Sequence, residues 1–442
     1  MRQLRNSGLI ILYILVLSIT IIYSLQSRVE PVELLESDKV TLTFRHLWTK
    51  EHDRPILNIF QDVIDEFQQA NPHVKIHFEG LDQTVHREQK LKSEMVTGTP
   101  PDMFVLFGGA EFEPYARSDR LMDLTDFVAE HQLQFRELKL WMHNERIYGL
   151  PFEGHAEPVF YNRSIFHELG LEPPTTLAEL EHVNEVLREN DYIPFALGNK
   201  ELWPGAIYAH YLMDRYAGPL MIEELVRGEQ QAKFFNPAYL RAFEQLQRWA
   251  ERGDFNSHPE QVTTEEAIQL FVNRRAAMYL NGTWDINMLR SSDGSTQFQN
   301  EVGVMHFPII SRDGIPSIAG GYTIGIALSA NLDEQQTEVA LDLLAAIYTE
   351  EVQARIVYEG QRLPSMEIPI DTAKTGPIFA QIFEMMENTE HTFVAYDNVL
   401  SPEVKKTFLS EVNLVLEQQS IAPEALRQLD EASAAYWRLR EQ

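Results

Sequence analysis

The chain contains no cysteine. Without thiols it can form no disulfide bond, no thiolate metal site and no cysteine nucleophile. A lipid cannot be attached to it through a cysteine either. The absence removes whole classes of enzyme and metalloprotein, and it leaves a helix as the means by which the chain would be tethered to a membrane.

Positive charge is also scarce. Lys and Arg number 37 against 66 Asp and Glu, which gives a formal net charge of −29 at pH 7. Such a surface repels phosphate backbones and anionic lipid headgroups, so nucleic acid is excluded as a partner. The 442 residues are 44% hydrophobic, which predicts a globular protein of about two to three domains with substantial cores.

Several motifs of enzyme chemistry are missing. The chain has no G-x-x-x-x-G-K-[ST] phosphate loop, no G-x-S-x-G nucleophile elbow and no H-E-x-x-H zinc motif. Residues 320–325, GGYTIG, have glycines at spacings that do not fit the dinucleotide-binding turn. We therefore expect no cofactor and no metal ion.

Long hydrophobic runs are absent except near the N-terminus. Arg2 and Arg5 precede an uncharged, mostly apolar run at 8–25, which as a helix spans about 27 Å, close to the thickness of a bilayer core. The charge asymmetry predicts that the rest of the chain lies outside the cytoplasmic membrane, anchored or secreted. We expect residues 1–37 to be a membrane anchor or signal segment with a spacer. No A-x-A-like site follows, which favours an uncleaved anchor over a signal peptide.

After this segment, strand-like and helix-like patterns alternate. Strands are predicted at 39–47, 73–80 and 103–107, and amphipathic helices at 55–69 and 86–96. This β-α-β-α-β order predicts a mostly parallel sheet with a ligand crevice at the carboxyl ends of its strands.

The pattern recurs further along the chain. Thr176 and Glu179 form a capping box that opens a helix. Helices are predicted from 333 to 358 and over most of the last hundred residues, and more strands at 157–162, 192–198, 276–282, 301–309 and 320–328. The fold class is therefore α/β, with two lobes of which one is rich in helices.

The stretch YGLPFEGHAEPVFYN, residues 148–162, is the most enzyme-like part of the sequence. It places Glu153 and Glu157 on either side of His155. Two carboxylates near a histidine can divide acid and base roles, as glycoside hydrolysis requires. They can equally accept hydrogen bonds from a ligand. We favour ligand binding by Glu153 or His155 over catalysis, with a solvated loop as the remaining alternative.

Aromatic residues stand at predicted junctions between strands and helices. Trp48, Phe107, Trp203 and Trp284 all lie beside turns instead of within helical stripes. Flat aromatic rings match the apolar face of a sugar, and nearby polar groups match its hydroxyls. Any one of these rings can also be an ordinary core residue.

Several segments, in order and spacing, resemble the extracellular solute-binding proteins of carbohydrate ABC importers, the group that includes maltose-binding proteins. The segments are TPPDMFVLF, YNRSIFHELGL with PPTTLAEL, RRAAMYLNGTWDI, AGGYTIGIALSA and GQRLPS. The resemblance covers nearly all of residues 39–442. The chain departs from many relatives in having no cysteine for lipid attachment.

The resemblance implies a periplasmic-binding-protein-like fold, with two lobes, crossing segments and a cleft that closes by a hinge. Lobe I would comprise 38–152 and 313–360, and lobe II 153–312 and 361–442. The first crossing would fall near 152–159.

The resemblance also implies a ligand site. Trp284 would be a stacking platform and Phe107 its counterpart on the other lobe, while Glu153 and His155 would bind hydroxyls. No catalytic residue and no metal ligand is implied. The expected substrate-binding residues are Trp48, Phe107, Glu153, His155, Tyr161, Trp203, Trp284, Gly320, Gly321 and Arg362.

The function implied is that of a monomeric receptor. It would bind a sugar or oligosaccharide outside the membrane and deliver it to the membrane subunits of an ABC permease. Two alternatives remain open: a sugar-sensing module for a membrane sensor kinase, and a secreted carbohydrate-active enzyme that uses Glu153.

Overall fold

The computed structural model describes residues 39–229, 231–291, 296–314 and 316–440. The predicted anchor or signal segment at 8–25 lies outside these residues. Within the described ranges, no helix combines the length and the apolar character that crossing a membrane requires.

Thirteen strands are formed by the described residues. They are β1 (Val40–His46), β2 (Val74–Gly80), β3 (Met103–Phe107), β4 (Met142–His143), β5 (Arg146–Ile147), β6 (Leu150–Ala156), β7 (Val159–Asn162), β8 (Ile193–Ala196), β9 (Ala276–Leu280), β10 (Val302–Met305), β11 (Ser317–Leu328), β12 (Leu363–Pro364) and β13 (His391–Phe393). Most strands predicted from alternation are present with ends shifted by a few residues.

The α-helices lie between and after these strands. They are α1 (Arg54–Ala70), α2 (Lys92–Thr97), α3 (Glu113–Arg117), α4 (Thr125–Glu130), α5 (Arg163–Leu169), α6 (Leu177–Glu189), α7 (Trp203–Ala217), α8 (Pro219–Arg227), α9 (Pro237–Arg252), α10 (Thr264–Val272), α11 (Ile286–Ser291), α12 (Thr296–Glu301), α13 (Glu334–Ile347), α14 (Glu350–Tyr358), α15 (Pro377–Glu387), α16 (Tyr396–Val399), α17 (Pro402–Leu416) and α18 (Ala422–Arg440). The predicted capping box of Thr176 and Glu179 opens α6 and is confirmed.

The strands form two main sheets. The first has the order β12-β6-β11-β3-β1-β2, with β13 paired to β11, and the second has the order β10-β7-β9-β8. In the first sheet, β11 runs antiparallel to both β3 and β6, and in the second only β8 and β9 are parallel. The parallel order predicted for the first three strands is confirmed, since β1 pairs in parallel with both β2 and β3. The sheets as wholes are mixed, because later strands add antiparallel pairs.

Each sheet is covered on both faces. In the second sheet, Val159 and Met278 face one hydrophobic cluster, while the neighbouring Phe160 and Tyr279 face another. The first sheet behaves likewise in β3, where alternate side chains join two separate clusters. This period of two is the signature of a strand buried on both sides.

Strand β11 belongs to the first sheet and is bonded to the segment that leads into the second sheet. Its register against β6 shifts between Gly321 and Ile324, and Gly321 has φ of +132°, which favours glycine. From α7, the Tyr211 hydroxyl donates to the Glu157 carbonyl at 2.5 Å and accepts from the Ala319 N–H at 2.9 Å. These bonds tie β11 to the connection between β6 and β7.

The predicted lobe boundaries cut through the first sheet. The boundary after residue 152 falls inside β6, and β12 and β13 join this sheet from sequence assigned to lobe II. The division into lobes stays a prediction.

Candidate functional site

Two short turns, each following a strand of a different sheet, meet beside β6. The first, Glu51–Asp53, follows β1, and the second, Thr283–Asp285, follows β9. The two turns contact each other, and the second also contacts β6. Because both follow the carboxyl ends of strands, this junction is where an α/β protein places its ligand site.

An aromatic group forms one side of the junction. The ring of Trp284 lies 5.3 Å from that of His155 and 5.7 Å from that of Trp203, measured between centroids. The indole of Trp284 folds back over Gly282, where an added Cβ would lie 2.2 Å from it. The glycine of the NGTW segment is therefore required for this position of the ring.

A buried charged group forms the other side. Arg362 Nε lies 3.5 Å from Glu153 Oε2, and Arg362 Nη2 lies 3.7 Å from Asp53 Oδ1. His52 Nδ1 lies 3.9 Å from Asp285 Oδ1. Glu153, Asp285 and Arg362 are 5%, 0% and 1% exposed. These separations are longer than good hydrogen bonds, so the charged groups are close but not saturated by one another.

Several buried atoms of this group have no hydrogen-bond partner among the described residues. They are Nδ1 of His52, Oε2 of Glu153, Nδ1 of His155, Oδ1 of Asp285 and Nε of Arg362. Buried polar atoms in proteins are nearly always paired, because an unpaired one costs about 1–3 kcal/mol. Donors and acceptors together at one junction are suited to a ligand that carries hydroxyl groups.

Burial changes the protonation of the same groups. It raises the pKa of Glu153 to about 7 and that of Asp285 to about 7, with the Arg362 guanidinium opposing in both cases. It raises the pKa of Asp53 to about 6 and lowers that of His52 to about 3. At neutral pH, His52 is therefore uncharged and the carboxyls are partly protonated.

Phe107 lies at the end of β3, on the side of the first sheet. The guanidinium of Arg87 sits 3.5 Å above its ring centroid. Arg87 comes from a π-helix, Thr84–Leu91, and its Nε donates to Glu111 Oε2 at 2.9 Å. A π-helix is rare and often marks a functional segment. One face of the Phe107 ring is thus covered by the guanidinium of Arg87, which Glu111 holds in place.

Polar contacts bridge the two sheet regions around this junction. Lys50 Nζ lies 3.6 Å from Glu201 Oε1, and the Ala110 N–H donates to the Asn398 carbonyl at 3.3 Å. The residue Lys50 after β1 therefore contacts the segment before α7, and Ala110 after β3 contacts α16.

The structure brings most of the expected site residues together. Glu153, His155, Trp203, Trp284 and Arg362 surround the junction, and Gly320 and Gly321 pair with Ala156 and His155 of β6. Phe107 lies level with Glu153 on the other side of β11, since Ile324 of β11 pairs with both residues. Ligand contact by all of these residues stays a prediction.

Two expected residues lie apart from this group. Trp48 is 3% exposed and packs in the first core, with its ring 4.4 Å from Phe60 and 5.4 Å from Phe152. The ring of Tyr161 covers Gly303 within the second sheet and also contacts Phe166. Packing accounts for both positions.

The two carboxylates of the enzyme-like stretch have different partners. Glu153 faces Arg362, whereas Glu157 Oε2 lies 2.9 Å from Nε2 of the buried His210 without the alignment of a hydrogen bond. The contacts shown do not join the two carboxylates to a common group. Among the described residues, no set of three or more His, Asp or Glu is arranged to hold a metal ion.

Sequence reasoning missed Asp53, Asp285 and Arg87. Asp285 directly follows the NGTW segment, and Asp53 belongs to the turn after the first strand. Their positions at the carboxyl ends of strands were the signal that could have identified these two. Arg87 gave no such signal, because a π-helix and an α-helix have similar sequence patterns.

A groove of about 1030 Å³ lies elsewhere in the described structure. It runs between the segments 109–117 and 139–142 on one side and 399–407 and 432–440 on the other, and its lining is mainly apolar. It contains none of the expected ligand residues, so we place the candidate site at the junction.

Comparisons with known proteins concern the chain as a whole. A family model described as bacterial extracellular solute-binding protein matches residues 54–354. An uncharacterized ABC transporter extracellular-binding protein of Pyrococcus horikoshii is 27% identical over 255 residues, and the match spans 55% of each chain. The melibiose/raffinose/stachyose-binding protein of Bacillus subtilis is 22% identical over 420 residues, or 92% of each chain. The solved structure of a chitin oligosaccharide binding protein is 29% identical with a TM-score of 0.85, covering 90% of this chain and 99% of that one.

Proposed function

We propose that this chain, which belongs to the bacterial extracellular solute-binding proteins, binds a sugar or oligosaccharide outside the cytoplasmic membrane and delivers it to an ABC permease. Relatives named for chitin oligosaccharides and for melibiose, raffinose and stachyose support this class of ligand.

One observation carries the proposal. Trp284, placed between His155 and Trp203, lies beside buried carboxyl, guanidinium and imidazole atoms that have no hydrogen-bond partner among the described residues. A sugar presents an apolar face of C–H groups and a rim of hydroxyls. The aromatic side of the junction suits the first surface and the buried polar side suits the second.

The proposed mechanism is capture by closure of two lobes. Lobe I is built around the first sheet and lobe II around the second, with the crossing segments 150–162 and 317–328 as hinges. A ligand that contacts both lobes binds the closed form more tightly, and only this difference drives closure. Moving the equilibrium from 1:99 to 99:1 requires about 5.5 kcal/mol of differential affinity. Closed, ligand-bound protein would then dock as a monomer on the membrane subunits of the permease.

The test is titration of the full chain, purified in detergent, with chitin oligosaccharides, raffinose, stachyose and maltose oligosaccharides. We expect a saturable change in tryptophan fluorescence with at least one saccharide and none with a peptide or a polyamine. Absence of binding to every saccharide would contradict the proposal. Chromatography of the same mixtures should show intact saccharide, and released products would favour the enzyme alternative.

Replacing Trp284 with alanine should weaken ligand binding by at least about 1 kcal/mol, or about fivefold in Kd, because a flat contact surface is lost. Isothermal titration calorimetry measures the change. Trp437→Ala is the matched control, since Trp437 is also half-buried but lines the groove formed with α18. If Trp284→Ala left the affinity unchanged, Trp284 would be a packing residue only.

A further inference from the structure

The buried charged group at the junction draws its members from both proposed lobes. Asp53 follows β1 of the first sheet, and Asp285 follows β9 of the second. Glu153 belongs to the crossing strand β6, and Arg362 directly precedes β12. Movement of the two sheets relative to each other therefore changes how closely the carboxyls of Asp53 and Asp285 approach, and how much water reaches them.

The carboxyls outnumber the buried cation that they surround. Asp53, Glu153 and Asp285 carry three negative charges when ionised, and Arg362 carries one positive charge within 3.5 Å of Glu153 and 3.7 Å of Asp53. Asp285 is fully buried, and its Oδ2 accepts from the Tyr279 hydroxyl at 2.7 Å. Its Oδ1 lies 3.9 Å from the His52 ring and has no hydrogen-bond partner among the described residues. Like charges in such a space cannot all remain ionised once water is removed.

The remaining charged neighbours do not restore the balance. Lys50 is 32% exposed and is paired with Glu201 at 3.6 Å, so its charge is already matched. Glu265 of α10 acts on both Asp53 and Asp285 and adds a further negative charge. The junction of this structure thus holds an excess of negative charge that protons can neutralise.

We propose that closure of the two lobes over the ligand takes up protons at Asp53, Glu153 and Asp285, so that the protein captures its ligand more tightly at mildly acidic pH. The inference rests on the proposed function, since it describes how that same site is regulated. A protonated carboxyl also becomes a hydrogen-bond donor, which suits a neutral ligand rich in oxygen atoms.

The direction of the pKa shifts supports uptake. Burial places the pKa of Glu153 and of Asp285 at about 7, above the ordinary values of about 4 for solvated carboxyls, so these groups bind more protons between pH 4 and 7 when buried than when solvated. Burial lowers the pKa of His52 to about 3 and also lowers the pKa of His155. Below pH 6.5, burial of these two histidines therefore releases protons and opposes the uptake by the carboxyls. Near pH 7 the carboxyls dominate, because neutral histidine is already the main form.

The experiment is calorimetric titration of the full chain at pH 7 with the saccharide that binds most tightly, in buffers of different ionisation enthalpy such as PIPES and Tris. The dependence of the binding enthalpy on the buffer gives the number of protons exchanged. We expect a net uptake of about half a proton, and a Kd about tenfold lower at pH 6 than at pH 8.

Variants assign the uptake to its residues. Glu153→Gln and Asp285→Asn should each reduce the number of protons taken up, whatever their effect on affinity. Asp214→Asn is the matched control, because Asp214 is a buried carboxylate paired with Arg215 at 2.6 Å, away from the junction, and it should leave the number unchanged. Circular dichroism checks that each variant folds, and either of the two junction variants is sufficient for the test.

The outcomes separate the two proposals. Saccharide binding with no proton exchange, or with proton release, would overturn this inference and leave the proposed function intact. Uptake that persists undiminished in a folded Glu153→Gln or Asp285→Asn variant would overturn the assignment to these carboxyls. Failure of every saccharide to bind between pH 6 and 8 would overturn both.

Discussion

Replacing Arg362 with methionine is expected to lower the free energy of unfolding by about 3–5 kcal/mol at pH 8, because it leaves buried carboxylates without their cation. Arg362 is 1% exposed, and its guanidinium lies within 4 Å of both Asp53 and Glu153. Methionine keeps much of the side-chain volume, so the loss reports the missing charge more than a cavity. Urea denaturation measures the change.

The loss should shrink as the pH falls. Without the guanidinium, the pKa values of Asp53 and Glu153 in the folded state rise further above their unfolded values. The folded state then binds more protons than the unfolded state across a wider range, so the stability of the variant falls as the pH rises through that range. The difference between wild type and variant is therefore largest near pH 8 and smallest near pH 5.

Arg355→Met provides the matched control. Arg355 pairs with Asp62 at 2.6 Å and Glu359 at 2.9 Å on the surface, where ion pairs contribute about 0–1 kcal/mol. If Arg362→Met lowered the free energy of unfolding as little as Arg355→Met, or by the same amount at pH 5 and pH 8, a role of Arg362 in charge compensation would be contradicted.

Arg362 also illustrates what the sequence reveals about the site. It was expected as a ligand residue through resemblance alone, and the structure adds a second role for it as the counterion of Glu153. In a chain with 66 acidic residues, the position of Asp53 and of Asp285 just after a strand is the one local signal that sets them apart from solvated carboxylates, and many other residues share such a position. Their importance comes from the meeting of two turns that are more than 200 residues apart.

The fold was more accessible from the sequence than the site. Period-two alternation located β1 and β2, and the stripe from Ile56 to Ile64 located the buried face of α1. The parallel direction of β1, β2 and β3 followed from their alternation with helices. The antiparallel pairing of β11 was not accessible, since periodicity carries no information about which distant strands become neighbours. The same limit explains Trp48: a tryptophan after a strand can face a cleft or, as in this structure, the core.

Trp141 connects the core of the first sheet to the crossing strand β11. It is fully buried, and Gly108, Gly149 and Gly325 make room for it, since an added Cβ at any of them would lie within 3.0 Å of the indole. Its ring N–H donates to the Tyr322 carbonyl at 2.7 Å. Tyr322 lies in the irregular part of β11 between Gly321 and Ile324. The side chain therefore supports the part of the strand where closure would bend it.

Replacing Trp141 with alanine should lower the free energy of unfolding by about 3–5 kcal/mol, the usual cost of deleting a large buried side chain. Trp141→Phe keeps most of the ring but leaves the Tyr322 carbonyl without its donor, which should cost about 1–3 kcal/mol. Because that carbonyl belongs to the proposed hinge, we expect Trp141→Phe also to weaken saccharide binding. Urea denaturation and calorimetric titration measure the two effects.

Trp249→Phe separates a hinge effect from a general loss of stability. Trp249 is equally buried, lies in α9, and its ring N–H donates to Glu181 Oε1 at 2.6 Å, away from the crossing strands. The Trp249→Phe variant should lose about as much stability as Trp141→Phe and keep its affinity for the saccharide. Similar affinity in the two variants would show that the indole bond to Tyr322 stabilises lobe I without influencing closure. Weaker binding in Trp141→Phe alone would identify this bond as part of the hinge.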